Sequence, residues 1–262
     1  MGNRPYGLFQ LIRLYLSFRR RAQSWRSIHS PLVFRIARSM NKANQFRNDF
    51  KDVEELRKRL LNKKEEIDVV DFGQDGKVIK RSIRDVVRLT AKSPVYGRVL
   101  ASIVRELKPS TALELGTSVG LSLAYQMIAS PNTTYYSIEG DKNLRKEANE
   151  NIAQLGLHAF LNQGRFQDVL PSVLDQIGDI DFVFIDGHHQ YQPTLDYLEM
   201  IYPSLSHEAC IVFDDIYWSE GMQNAWSKIV ADERFSLTVD AYHFGIVFKH
   251  EGTVKQHFKV KI

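Results

Sequence analysis

Two apolar periods alternate along the chain. Dense runs of apolar and β-branched residues stand at 111–115, 133–138, 159–162, 180–185 and 208–213, each about the length of a buried strand. Between them, at 121–129, 143–155, in a segment ending at 176, and at 191–201, apolar residues recur every three to four positions, the spacing of amphipathic helices. Apolar strands separated by helices predict a parallel sheet covered on both faces, an α/β fold. After 213 the pattern changes. A helix beginning near Ser219 is followed by 235–242 and 245–249, which alternate apolar and polar residues around His243 and Phe244 and read as an antiparallel hairpin. Upstream of 111 the pattern is helical: Ser30 and Pro31 supply a cap and a first-turn proline for a helix to about Met40, and 49–64 is a heavily charged amphipathic helix. Helices near 84–91 and 95–107 lead into the first strand, and Gln74, Asp75, Gly76 and Lys77 read as a turn. The chain therefore divides into an N-terminal helical segment, residues 1–90, and an α/β domain, residues 91–262.

The junction at 111–122, TALELGTSVGLS, carries the first chemistry. Gly116 and Gly120 remove side chains where the backbone turns and a ligand must come close, and the helix from Leu121 points its free N–H groups at the same spot. The spacing Glu114-x-Gly116-x-x-x-Gly120 is not the dinucleotide fingerprint G-x-G-x-x-G, because an acid stands where the first glycine belongs. An anion there repels a pyrophosphate and suits a cofactor with cationic groups. One unit later the run TTYYSI ends in Glu139-Gly140-Asp141, and an acid at the end of the second strand can accept from both hydroxyls of a ribose.

With those residues in place, the stretch from about Val95 to Lys249 resembles the class I S-adenosylmethionine-dependent methyltransferases. The resemblance implies a Rossmann-like methyltransferase fold: a seven-stranded, mostly parallel sheet closed by a C-terminal antiparallel hairpin, preceded by the N-terminal helical extension. It implies S-adenosyl-L-methionine as cofactor, with the loop Gly116, Thr117, Ser118, Gly120 and Ser122 against its methionine part, Glu114 near its ammonium and Glu139 on its ribose. It also implies Phe166 and Gln167 beside the adenine, with Asp168 either at the base or capping the following helix. Arg165 departs from the acid that many relatives carry there.

Two further strand ends are acidic, IDFVFI before Asp186-Gly187-His188-His189 and EACIVF before Asp214-Asp215. In an open parallel sheet, ligands lie beyond the carboxyl ends of the strands, which would gather these three aspartates; gathered carboxylates raise one another's pKa unless a cation compensates. The pattern resembles the catechol and caffeoyl-coenzyme A branch of metal-dependent O-methyltransferases. That resemblance implies Asp186, Asp214 and Asp215 as ligands of Mg2+ or another divalent cation, with Asp215 where those enzymes carry Asn. It places Asp186 also at the cofactor, and His189 where they carry a catalytic Lys. An imidazole, with its ordinary pKa of about 6.5, can accept a proton from an acidified hydroxyl. The competing reading is structural: Asp186 caps the helix at 191–201, Asp214 and Asp215 cap the helix near Ser219, and the two histidines are solvated turn residues. Tyr217, Trp218 and Trp226 line an acceptor pocket or form a packed aromatic cluster; Tyr96 and Arg98 face that pocket or pack their helix.

Composition adds little to this and charge adds much. With 262 residues, 44% of them hydrophobic, the chain can bury one large core. The single Cys210 sits in an apolar strand and cannot form an intrachain disulfide, which fits a reducing cytoplasm. No apolar run is long enough for a membrane span, and Arg13 interrupts the first apolar stretch in a way that disfavours a cleaved signal. Residues 1–48, however, hold ten Arg or Lys and no Asp or Glu, so the net +4 conceals a basic arm on an acidic body of 25 basic against 31 acidic residues. Within the arm, Leu8, Leu11, Ile12, Tyr15 and Leu16 share a helical stripe ahead of Arg19-Arg20-Arg21. Such a helix packs on the catalytic domain or a second subunit, making a homodimer, or else meets an anionic membrane surface or a nucleic acid. Three functions remain in view: methyl transfer to a hydroxyl of a small-molecule acceptor, methylation of an RNA or protein recruited by the arm, and a non-catalytic cofactor-binding or membrane-attached module.

Overall fold

The computed structural model describes residues 5–71, 77–249 and 254–262. In chain order the elements are α1 (Leu8–Arg21), α2 (Pro31–Asn41), α3 (Lys51–Asn62), β1 (Glu66–Asp71), β2 (Lys77–Ser82), α4 (Ile83–Thr90), α5 (Pro94–Leu107), β3 (Thr111–Leu115), α6 (Leu121–Ala129), β4 (Thr134–Glu139), α7 (Lys142–Gln154), β5 (Phe160–Gln163), α8 (Phe166–Ile177), β6 (Ile180–Ile185), α9 (Tyr191–Ile201), β7 (Leu205–Asp214), α10 (Glu220–Ala231), β8 (Leu237–Asp240), β9 (Phe244–Phe248) and β10 (Gln256–Lys259). A 3-10 segment, Ala43–Phe50, precedes α3. The expected turn at 74–76 lies outside the described residues. The chain forms two compact units, residues 39–173 and residues 1–38 with 174–262.

In the first unit β3, β4 and β5 run parallel, with Leu115 opposite Ile138 and Glu139 opposite Gln163. Parallel strands need crossover helices, and α6 and α7 supply them. Gly97 on α5 lets that helix close on α6, because a Cβ there would stand 2.5 Å from the Tyr125 ring. Phe50 covers the other side of the same ring, 5.1 Å between centroids. Arg98 does not face a pocket: it is buried, paired with Glu54, and donates to Asn44 Oδ1 at 3.1 and 3.0 Å, tying α5 to α3 and to the 3-10 segment. Residues 1–90 are not wholly helical, since β1 and β2 form an antiparallel ribbon. The ribbon docks on α7, where Asp141 Oδ2 accepts from the Val70 N–H at 2.7 Å and Asn143 Nδ2 donates to the Asp68 carbonyl at 2.7 Å.

In the second unit the strand order is β10-β8-β9-β7-β6. β6 and β7 are parallel, β9 is antiparallel to both β7 and β8, and β10 returns parallel to β8. The antiparallel hairpin is present as the alternating pattern at 235–249 predicts, but β10 adds a strand, so β3 to β10 number eight where seven are expected. Every residue of β8 and β9 is buried. Trp226 packs within 2.7 Å of where a Cβ on Gly245 would stand, which requires glycine in β9. α1 rests on this unit through Leu14 and Phe18 against Ala22, Tyr217 and Tyr242, and of the stripe that its sequence suggests Tyr15 joins them, 5.0 Å between its ring and that of Tyr242.

Candidate active site

In the first unit the loop after β3 is built for close approach. Gly116 has φ 101°, Ser118 φ 48° and Gly120 φ 82°, a left-handed run that two glycines make inexpensive. Gly120 caps α6, so the first backbone N–H groups of that helix open toward the loop. Beneath it, Glu114 is 1% exposed and accepts from Ser122 Oγ at 2.7 Å, Gln126 Nε2 at 3.0 Å and Ser137 Oγ at 2.9 Å. Ser137 in turn shares a 2.6 Å bond with the Thr117 hydroxyl. The carboxylate therefore binds the strand, the loop and the first turn of α6 into one piece, with Ser122 serving it directly and Thr117 through Ser137.

Glu139 closes the loop from the next strand. Its Oε2 accepts from the Ser118 N–H at 2.7 Å and its Oε1 from the Asp141 N–H at 2.9 Å. Burial pushes its carboxyl above the usual range, against the pull of those backbone donors. Each oxygen keeps lone-pair capacity for a further donor. The glycine loop and the helix N-terminus offer backbone N–H donors to a ligand, and Glu139 offers a carboxylate acceptor. Thr90, at the end of α4, reaches the loop too, sharing a 3.0 Å bond with the Ser118 hydroxyl. Phe166 and Gln167 open α8, the first buried and the second exposed. α8 begins at Phe166, so Asp168 lies inside its first turn and is not its cap.

In the second unit Asp186 and His189 meet, with Asp186 Oδ1 3.4 Å from His189 Nε2 and both partly exposed. The turn that presents them is strained: His188 and His189 have φ 61° and 35°, and His188 is held by its ring nitrogen against the Tyr197 hydroxyl. His188 is thereby tied to α9. The capping readings fail for Asp186 and for the Asp214–Asp215 pair. α9 starts after Gln190 without a side-chain cap, and α10 is capped by Ser219, whose Oγ accepts from the Met222 N–H at 3.2 Å. Asp214 is 1% exposed and accepts from the Asp215 N–H at 2.9 Å, while Asp215 adopts φ 53°.

Among the described residues, no group of three His, Cys, Asp or Glu side chains is arranged to hold a metal ion. Asp186, Asp214 and Asp215 do not form such a group, and the Asp214 carboxylate is buried with its Oδ1 on the Asp215 N–H. Of the aromatic residues, Trp226 is buried against Phe213, and Tyr217 donates to Asp240 Oδ2 at 2.7 Å and stacks on Tyr242. Only Trp218 stands exposed near the pair, 6.2 Å between its ring and that of His189.

Sequence reasoning passes over Thr90, Gln126, Ser137 and Tyr197. Ser137 carried a signal, being a serine among the aromatic and β-branched residues of its strand, and so did Gln126, one helical turn after Ser122.

Residues 113–216 match the family described as a methyltransferase domain. An uncharacterized protein of Acanthamoeba polyphaga mimivirus is 30% identical over 136 residues, which is 47% of this chain; the chain spans 60% of that relative's length. Among solved structures, the O-methyltransferase from Bacillus cereus in complex with SAH is 21% identical, with a TM-score of 0.54, over 64% of this chain and 89% of that one. The O-methyltransferase of tomaymycin synthesis from Streptomyces achromogenes, in complex with SAM, is 20% identical, with a TM-score of 0.53, over 63% and 86%. An SAH-bound methyltransferase from Podospora anserina, 14% identical with a TM-score of 0.55, extends over 94% of this chain and 97% of its own.

Proposed function

We propose that this chain, whose residues 113–216 match a methyltransferase domain and whose fold is of the Rossmann-like methyltransferase type, transfers the methyl group of S-adenosylmethionine to a hydroxyl of a small molecule. The observation that carries this reading is Glu139, which holds the Ser118 N–H of the glycine loop with one oxygen and is left able to accept from a ribose diol. The O-methyltransferase neighbours in complex with SAH and SAM support it. When bound, S-adenosylmethionine supplies a methyl on a sulfonium that is its own leaving group, so the protein's work is positioning and proton removal. Gly116 to Gly120 and the α6 N-terminus hold the methionine end. Glu114, locked below the loop, fixes Ser122 and lends negative potential to a site that must accept an ammonium. His189 takes the proton of the acceptor hydroxyl, and Asp186, 3.4 Å away, stabilises the imidazolium that forms. Trp218 offers an exposed aromatic face to a planar acceptor.

The test is calorimetry with S-adenosylmethionine followed by turnover of a catechol, each with and without magnesium, on the parent chain and on His189→Asn. Cofactor binding is expected in both proteins and independent of magnesium, with turnover lowered about 100-fold in the variant. Failure to bind the cofactor would end this reading. Turnover that demands magnesium would return Asp186, Asp214 and Asp215 to a metal role.

A further inference from the structure

Helix α1 is pinned at both ends. Before it, Pro5 bridges to Ser219, the Tyr6 N–H donates to the Trp218 carbonyl at 3.0 Å, and the Tyr6 hydroxyl donates to Gln223 Oε1 at 2.7 Å. After it, the Gln23 N–H donates to the Lys259 carbonyl at 2.8 Å and the Lys261 N–H to the Gln23 carbonyl at 3.0 Å. Between these anchors Leu14 and Phe18 pack on Tyr217 and Tyr242, and the Tyr242 hydroxyl donates to the Leu11 carbonyl at 3.0 Å. The rotation of the helix about its axis is therefore set.

That rotation turns large apolar side chains outward. Leu8, Phe9, Ile12 and Leu16 are 75%, 83%, 50% and 56% exposed. At 3.6 residues per turn these four fall within an arc of about 100°. Arg13 and Arg20 follow on one edge of the arc, and Arg19, Arg20 and Arg21 fill the last turn, all four arginines exposed. The helix contains no acidic residue, and neither does any part of residues 1–48. A single exposed leucine needs no explanation, but a continuous apolar arc bordered by arginine is the composition of a helix that lies in a membrane interface.

We propose that α1 docks this protein on an anionic lipid surface. The arc enters the boundary between headgroups and acyl chains, and Arg13, Arg19 and Arg20 meet the lipid phosphates and carboxylates. The helix has 14 residues, a length of roughly 21 Å, and no helix among the described residues is long and apolar enough to cross a membrane, so it lies along the surface. Charge favours lipid over a second copy of the chain, because the facing α1 of a copy would bring four more arginines and no carboxylate. The apolar arc favours lipid over nucleic acid, whose phosphate backbone offers nothing to Leu8, Phe9, Ile12 and Leu16. The inference stands on α1 alone and does not depend on the methyl-transfer reading.

The experiment is co-sedimentation of the full chain with phosphatidylcholine vesicles, with and without about 30% phosphatidylserine, at low salt and at about 0.5 M salt. Binding is expected on the anionic vesicles, weakened by salt and small on the neutral ones. A Leu8→Ser, Ile12→Ser, Leu16→Ser triple variant and an Arg19→Gln, Arg20→Gln, Arg21→Gln triple variant should each lose binding by about tenfold or more. Both should keep the parental thermal midpoint, since the altered side chains are exposed. Equal partition of parent and variants would overturn the proposal. So would a dimer, seen by sedimentation equilibrium, that the apolar triple variant abolishes. Binding of tRNA that survives the apolar variant and is lost with the arginines, in the absence of vesicle binding, would assign the arm to nucleic acid instead.

Discussion

Glu139 has opposing demands from folding and from binding. Its oxygens accept from the Ser118 and Asp141 N–H groups, yet burial raises its pKa. Because the folded state holds this proton more tightly than the unfolded chain, the group favours folding most below its unfolded pKa, and that contribution is lost as pH rises through the folded value. On the proposed role at a ribose, binding runs the other way, since only the ionised carboxylate has acceptors for two further hydroxyls. The gain in melting temperature conferred by S-adenosylmethionine should therefore shrink as pH falls from about 8 toward about 5, starting above the ordinary carboxylate range. A Glu139→Gln variant should bind weakly at every pH and lack this acid limb; a pH-independent thermal shift in the parent would contradict the role. Glu139, Gly116 and Gly120 were legible because strand-end position and glycine spacing are local properties of sequence. Thr90 was not, because its meeting with the Ser118 hydroxyl depends on how α4 is placed in space.

Among the elements, the β1–β2 ribbon is the one whose sequence conceals it. EIDVVD and KVIKRS carry a charged or polar residue at nearly every other position, and β2 is mostly exposed, so neither reads as a buried strand. A two-stranded ribbon is marginal alone and needs a surface to rest on. Here that surface is the start of α7, and Asp141 is its fastener: one oxygen caps α7 by accepting from the Asn143 and Leu144 N–H groups, both at 2.8 Å, and the other takes the Val70 N–H. Asp141→Ala should lose a helix cap and leave a ribbon donor without its acceptor, together about 1–3 kcal/mol in urea unfolding. A loss below about 0.5 kcal/mol would mean that the ribbon is held by other contacts. β10 was missed for a related reason. Its four residues, QHFK, hold one apolar side chain, and its pairing with β8 is a long-range choice that no local pattern records.

For the molecule as a whole, the strand–helix alternation and the terminal hairpin sufficed to announce the class of fold, because buried parallel strands and buried hairpins each leave a period in the sequence. The split of charge was equally legible, a basic arm against an acidic remainder. Which side of α1 faces outward was not, since Leu14 and Phe18 compete with Leu8, Ile12 and Leu16 for the same contacts and only the aromatic partners Tyr217 and Tyr242 decide. The chain also holds its own probe of cooperativity in Cys210. It is fully buried in β7, opposite Phe182 of β6 on one side and Phe248 of β9 on the other. Burial alone raises its thiol pKa well above the ordinary value, so both access and thiolate fraction oppose reaction. A strand paired on both edges is exposed only by large-scale opening, so labelling of the native chain by a thiol reagent should run at least about 1,000-fold slower than in denaturant and track the unfolding equilibrium as urea is added. Fast labelling without urea, while the circular dichroism of the native chain persists, would show that β7 opens locally and that the sheet of this unit is not a single cooperative element.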